Sequence, residues 1–296
     1  MRRLHGVGGQ GVAPALETPG LGLSSYAASA LRGSAWWAAL GLVVPLSGLL
    51  VGQATLVSRR YGATPALAPV DVTVAPSGGG RAGETAVEMS AFGDSAMAGV
   101  GVDRVEDSLP VQLAQRVADS TGRPVHVVGY ARSGARTIDV LTGQVPEVLR
   151  EPDVSVLVVG TNDVTGLTAP VTLARTSGAL LDSLVSLGAP VVMSSLPEFR
   201  SMRLLPHPLM EVAIGVGAVV GAVQRRAAAG RPLVRYVDAV GAVGPEFVKD
   251  ASMLSDDSFH PSAAGYGRIA DALVPAVLAI VGSAQSVGES HGHSPD

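Results

Sequence analysis

The sequence predicts an α/β protein: a three-layer α/β/α sandwich on a mainly parallel sheet of about five strands. Three observations predict it. Strand-like and helix-like stretches alternate from about residue 85 to residue 282, the pattern of βαβ units with right-handed crossovers. The run Val-Ser-Val-Leu-Val-Val at Val154–Val159 has the character of a strand buried on both faces. Short polar clusters follow several of these strands, at the sheet edge where open α/β sheets bind ligands.

Composition sets the bounds. The chain has 296 residues, 47% hydrophobic and 16% charged, enough for one domain of roughly 200 residues and a smaller N-terminal region. A net charge of −4 and a sequence pI of about 5.9 supply no basic field for nucleic acid. Cysteine is absent, which excludes disulfides and thiolate metal sites and says nothing about compartment. Glycine is abundant and aromatics make up 4%; this bias runs evenly through the chain, as a GC-rich genome would produce.

Residues 1–33 are rich in Gly, Ala and Ser without clear periodicity, so disorder is expected there. No charge occurs between Arg32 and Arg59. The stretch 34–58 is long enough to span a bilayer, which takes about 20 residues. Trp36 and Trp37 stand at one end, where indoles favour the lipid interface, and Arg59 and Arg60 close the other. A buried helix and a cleaved signal, with Ala66-Leu67-Ala68 as the cleavage site, are the alternatives. An uncleaved transmembrane anchor is preferred, with the C-terminal domain outside the membrane in the cell envelope. Residues 59–84, with Pro65, Pro69, Pro76 and Ser77-Gly78-Gly79-Gly80, read as a flexible linker.

The globular part covers residues 85–282. Its expected strands are Ala86–Phe92, Val125–Val128, Val154–Val159, Pro190–Met193 and Leu233–Val237. The expected helices are Ser108–Asp119, capped by Ser108 and stopped by Gly122; Val171–Leu187, stopped by Gly188; Met210–Ala229; and Ala263–Val281. Residues 283–296 read as a solvated, disordered tail.

Four clusters could carry chemistry: Gly93-Asp94-Ser95 after the first strand, Tyr130-Ala131-Arg132-Ser133-Gly134-Ala135 after the second, Gly160-Thr161-Asn162-Asp163 after the third, and Asp257-Ser258-Phe259-His260-Pro261-Ser262 before the last helix. Each is weak alone; their joint order and placement are not. They resemble the blocks that define the SGNH (GDSL) hydrolase superfamily of serine esterases and lipases, over about Ala86 to Ile280. The resemblance implies a flavodoxin-like fold and ester hydrolysis. It places the family serine at Ser95, glycine at Gly134, asparagine at Asn162, histidine at His260 and aspartate at Asp257. Ala96 departs from the leucine of the name motif.

The chemistry of the residues agrees. A serine hydroxyl needs a base, and the base an orienting group. His260 would take the proton of Ser95, and Asp257 would orient the imidazole. Asp256 competes for that role, but the Asp-x-x-His spacing favours Asp257. The amides of Ser95 and Gly134 and the side chain of Asn162 could form an oxyanion hole. Asp163 and Asp94 read as structural acceptors and His126 as structural. A surface role is preferred for His207, Arg132 and Arg136. No metal-ligand spacing occurs. Gly99-Val100-Gly101 hints at a phosphate loop but lacks what a nucleotide site needs, so no cofactor is expected.

The expected function is a serine esterase acting through an acyl-enzyme on small-molecule, lipid or carbohydrate esters. Sparse aromatics and the lack of an obvious lid point to short or medium acyl chains or acetylated carbohydrate. Met202, Leu204, Leu205, Leu209 and Met210 are candidates for an acyl pocket. A thioesterase or acyltransferase on the same residues, and a catalytically silent envelope-binding module, are the alternatives.

Overall fold

A computed structural model describes residues 45–57, 59–60, 66–79 and 84–291. The chain divides into two units, residues 1–49 and 50–296. Of the first, residues 45–49 are described, and they are helical. The expected disordered N-terminus, residues 34–44 and 58 of the expected span and residues 61–65 and 80–83 of the expected linker lie outside the described residues.

The sheet has six strands in the order β1-β3-β2-β4-β5-β6: β1 (Asp71–Val74), β2 (Val87–Gly93), β3 (Val125–Gly129), β4 (Val154–Val158), β5 (Val191–Ser194) and β6 (Val234–Val237). Strands β2 to β6 are parallel, and β1 runs antiparallel to β3. The expected sheet of about five parallel strands is thus a mixed sheet with one more edge strand. That strand lies inside the stretch expected to be a flexible linker. Asp-Val-Thr-Val is a strand sequence, but it is short and sits among Pro and Gly; pairing with β3 is what orders it.

The chain passes from β2 outward to β3 on one side and returns to β4 on the other. The order therefore reverses at β2, and a crevice opens at the carboxyl ends of β2 and β4.

Helices cover both faces. On one face, α2 (Leu109–Thr121) and α8 (Ala263–His291) pack together over the sheet. Leu109, Leu113, Val117, Tyr266 and Leu273 meet Val87, Met89, Val154 and Val156 there, all buried. The next residues of the same strands turn the other way: Phe92 and Leu157 pack with Leu180, Leu181 and Leu184 on α5 (Pro170–Val185). This period-two alternation gives each helix layer its own core. A third apolar cluster lies beside α6 (Leu209–Ala229). Gly122 ends α2 at φ 71, as its sequence requires. Ser108 stands at the N-cap, but its hydroxyl donates to the Val105 carbonyl at 2.5 Å instead of capping. α8 runs on to His291, where a tail was expected; helix propagation adds a hydrogen bond per residue, and nothing from 283 to 291 breaks it.

The apolar segment near the N-terminus contains a helix, α1 (Pro45–Val57). Val57 is buried in the third cluster with Val164, Leu173 and Phe259, and the Gln53 amide donates to the His207 carbonyl at 2.8 Å. Among the described residues, Leu209–Ala229 and Ala263–Gly282 are long and apolar enough to cross a membrane, but both are layers of the sandwich.

Strand β1 is tied across the sheet by His126, which meets Glu88 of β2 at 2.6 Å and Asp71 of β1 at 2.8 Å. Hydrogen bonds to the Glu88 and then the Asp71 carboxylate raise its pKa. Two outcomes follow. A chain beginning at Thr85 lacks β1 and leaves the β3 edge unpaired; its Tm, measured by calorimetry, should fall on the order of 5–10 °C below that of a chain beginning at Ala66. Because the folded pKa of His126 lies above its unfolded value, the clamp stabilises fully below the unfolded pKa and is lost as pH rises through the folded one. His126→Gln should therefore cost most stability in denaturant melts below pH 6 and progressively less in alkaline solution.

Candidate active site

The first cluster is shaped by a close approach. Strand β2 ends at Gly93, whose φ is 146° and whose Cβ, were there one, would lie 1.9 Å from the Val158 carbonyl oxygen. Only glycine passes there. The fully buried Gln144 grips the same peptide from the side: its Oε1 accepts from the Gly93 N–H at 2.9 Å and its Nε2 donates to the Gly93 carbonyl at 2.8 Å. The Asp94 amide then donates to Val158 O at 3.1 Å, and the chain folds into a turn with Ala98 N–H to Asp94 O at 3.0 Å and Val100 N–H to Ser95 O at 3.0 Å. Ser95 stands at the start of this turn, at the carboxyl end of β2.

The second and third clusters are held as a pair. The Arg132 amide donates to the Gly93 carbonyl at 3.2 Å, so the second loop runs on beside the Ser95 turn. Gly134 adopts φ 83 and is exposed. Gly160, at φ 132, has no room for a Cβ against Gln224 Nε2 at 2.7 Å, and the short helix α4 (Thr161–Thr165) follows it. Its Asn162 is buried and donates from Nδ2 to the Ala135 carbonyl at 3.1 Å. Asp163 accepts from the Thr137 amide at 2.9 Å and its hydroxyl at 2.7 Å through Oδ2. These three bonds clamp the loop that carries Gly134 to the loop that carries Asn162. Asp163 is thus a structural acceptor.

The fourth cluster is a tight knot. Asp257 Oδ1 accepts from the Phe259 and His260 amides, each at 2.9 Å, and from the Ser255 hydroxyl at 2.8 Å. Its Oδ2 faces His260 Nδ1 at 2.6 Å. Ser258 sits at φ 58, a conformation that costs a non-glycine residue about 1 kcal/mol and that turns two successive amides onto one carboxylate oxygen. Burial pushes the Asp257 carboxyl up, but the bonds from the His260 ring and from the two amides outweigh it and hold the group well below the usual carboxylate range. Asp257, not Asp256, therefore faces the imidazole.

The knot docks on the Ser95 turn. A Cβ at Gly101 (φ 100) would press on the Pro261 carbonyl at 2.7 Å and on His260 Cβ at 3.0 Å. The buried Tyr266 hydroxyl donates to Val100 O at 2.5 Å. Gly101 is thus a packing glycine, which explains the motif that resembled a phosphate loop.

Ser95 and His260 line one cleft with Asp94, Thr161, Ser195 and a largely apolar wall. Gly134 and Asn162 stand on the adjoining loops rather than in that wall. Ser194, Ser195 and Ser201 also border the cleft, but each hydroxyl is bonded to backbone: to Ser195 O at 3.1 Å, Val240 N at 3.0 Å and Glu198 O at 2.6 Å. Ser95 is the cleft serine with no such tie among the described residues. Burial raises the Asp94 carboxyl to about 6, against the Ala96 amide and the charge of His260. Its Oδ2 has no hydrogen-bond partner among the described residues.

Other residues fall away from the cleft. His207 pairs with Glu211, Arg132 with Glu147 and Arg136 with Asp139, all exposed. Of the suggested acyl-pocket residues only Met202 lines the cleft; Leu204, Leu205, Leu209 and Met210 pack in the third apolar cluster. Among the described residues no group of His, Asp and Glu could hold a metal ion. Gln144, Gln224 and Ser258 were not legible as site residues. A Gln carries no motif, and αL geometry at a serine leaves no mark in the sequence.

The comparisons with known proteins agree with this geometry. A family model described as GDSL-like Lipase/Acylhydrolase matches residues 91–268. The chain is 30% identical over 242 residues to the GDSL-like esterase Rv1075c of Mycobacterium tuberculosis, covering 76% of this chain and 74% of that protein. Its fold is similar to the lipase Lip_vut3 from a goat rumen metagenome (TM-score 0.51, 19% identity, 64% of this chain and 97% of that one). It is also similar to LAE5, an alpha/beta hydrolase enzyme from the metagenome of Lake Arreo (TM-score 0.51, 21% identity, 67% and 97%). The chain belongs to the GDSL-like lipase/acylhydrolase family of the SGNH superfamily and is a serine ester hydrolase.

Proposed function

We propose that Ser95 is the nucleophile of an acyl-enzyme mechanism in which His260 is the base and Asp257 its orienting partner. The observation that carries this reading is that Ser95 and His260 share one cleft at the switch point of the sheet while Asp257 holds the far nitrogen of the imidazole. With Nδ1–H donating to Asp257, Nε2 is the nitrogen that takes the Ser95 proton as Oγ bonds to the ester carbonyl carbon. The imidazolium then protonates the leaving alkoxide as the C–O bond breaks. In the second half His260 deprotonates a water, which attacks the acyl-enzyme, and the proton returns to Ser95 Oγ. Asp257 carries the negative charge that balances the imidazolium, and its low pKa keeps it ionised in acid solution.

The developing oxyanion would be met by the Ser95 and Gly134 amides and the Asn162 side chain. The bonds from Asn162 to Ala135 and from Thr137 to Asp163 support this reading, since they hold the two donor loops in fixed relation. The uncharged stretch between Arg32 and Arg59 supports a membrane-tethered domain facing the cell envelope.

Fluorophosphonate labelling followed by peptide mapping should find the adduct on Ser95; an adduct on another serine overturns the assignment. On p-nitrophenyl acetate, Ser95→Ala and His260→Ala should each lower kcat on the order of 10³-fold or more. Asn162→Ala should lower kcat on the order of 10²-fold with little change in KM; a change confined to KM would make it a substrate-binding group instead. Asp94 yields a stability prediction. Its folded pKa lies above its unfolded value, so its contribution is intact below about pH 4 and declines through about pH 6. Asp94→Asn should therefore gain on the order of 2–3 kcal/mol over wild type between pH 4 and pH 8 in urea titrations.

A further inference from the structure

We propose that the groove along the helix after β6 is the acyl site, and that it selects linear aliphatic acyl groups of medium length; this rests on the Ser95 reading above. That helix is α7 (Ala239–Lys249). Its residues Ala239, Val240, Val243, Gly244 and Phe247 all line the cleft that holds Ser95 and His260. Their spacing puts them on one continuous stripe of helix. From Ala239 to Phe247 the helix rises about 12 Å, the reach of an extended chain of about eight to ten carbons.

The groove is largely apolar, and packed side chains wall it at the Phe247 end of the stripe. Phe247 and Val243 are packed and buried with Leu254, and Ile269 lies against them; all four border the cleft. Glu198 is the charged residue on the opposite wall, and its carboxylate is engaged by the Arg200 amide at 3.1 Å and the Arg200 side chain at 3.7 Å. Such a wall offers a sugar hydroxyl or an anion few partners, whereas each buried methylene gains by leaving water. The acetylated-carbohydrate preference expected from composition is therefore replaced by an aliphatic one. A closed end suits the acyl group, which stays bound through the acyl-enzyme, rather than the alcohol, which must depart.

Gly244 lets α7 approach the Glu198 wall closely. A Cβ there would lie 3.3 Å from Glu198 Cβ and 3.6 Å from Val240 Cγ1, so a longer side chain must either push that wall back or turn into the cleft that α7 lines. Glycine is otherwise a poor choice in the middle of a helix, costing about 1 kcal/mol relative to alanine.

The test varies the acyl chain and the alcohol separately in the full-length protein. With p-nitrophenol as the constant leaving group, kcat/KM should rise about fourfold per methylene from acetate to octanoate and level off beyond about ten carbons. With acetyl constant, lengthening the alkyl alcohol should give no comparable rise. Gly244→Leu should compress the octanoate-to-acetate ratio on the order of 10²-fold, and Phe247→Ala should move the optimum to longer chains. Labelling by a small fluorophosphonate reports whether each variant retains a formed site. A flat acyl series with Ser95 labelled, a rise in the alcohol series instead, or a labelled Gly244→Leu with an unchanged ratio would each overturn the groove while leaving the mechanism standing. Failure of Ser95 to label in the wild-type chain would overturn both.

Discussion

The cleft depends on one close approach. At Gly93 the backbone of β2 passes the Val158 carbonyl at a distance that would put a Cβ 1.9 Å from the oxygen. The strand can bend there only because the side chain is a hydrogen. Gln144 then takes both polar groups of Gly93, which are buried and would otherwise cost about 1–3 kcal/mol each to leave unpaired. The bend swings Asp94 and Ser95 off the sheet axis into the crevice at the strand-order reversal. Everything else in the site is arranged against that fixed corner: the loop after β3 through Arg132 N–H to Gly93 O, the loop after β4 through Asp94 N–H to Val158 O, and the His260 knot through Gly101.

Two carboxylates in this site are driven in opposite directions by their surroundings. Asp257 receives two amides, a hydroxyl and an imidazole, and its charge is stabilised. Asp94 accepts from the Ala96 amide at 3.2 Å, with a weaker contribution from the Thr161 amide, and sits deeper, so burial dominates and its carboxyl rises. The difference is hydrogen-bond count against desolvation, not residue type. A costly carboxyl beside Ser95 is a stability loss that a packed neutral side chain would remove.

Much of the fold was legible because its signals are local. The alternation of β2, the apolar run of β4, the glycine stop at Gly122 and the Asp-x-x-His spacing of Asp257 and His260 each follow from a few adjacent residues. Strand β1 was not legible. Four residues between prolines carry no independent strand signal, and what orders them is pairing with β3 and the His126 bridge to Asp71. Gln144 and Gln224 were hidden for a related reason: their partners, Gly93 and Val159, are 51 and 65 residues away, and an amide that satisfies a distant backbone leaves no periodicity. Of the acyl-pocket residues suggested by the sequence only Met202 borders the cleft, because a cluster of Met and Leu marks burial without saying which cavity it faces.

α7 shows why the pocket wall in particular escaped notice. Ala-Val-Gly-Ala-Val-Gly-Pro-Glu-Phe-Val-Lys has two glycines and an internal proline, a composition that favours loop over helix. The helix forms because its start is fastened from outside: Asp238 accepts from the Gly241 amide at 3.1 Å, and the Ser195 hydroxyl accepts from the Val240 amide at 3.0 Å. Its apolar residues then pack with Leu254 and Ile269. The weak helical sequence and the groove have the same origin. A strong helix former at position 244 would improve propensity but crowd the Glu198 wall, whose Cβ would lie 3.3 Å from the added Cβ. An element that lines a cavity is held in shape by its neighbours, so its own sequence can remain free to leave that cavity empty.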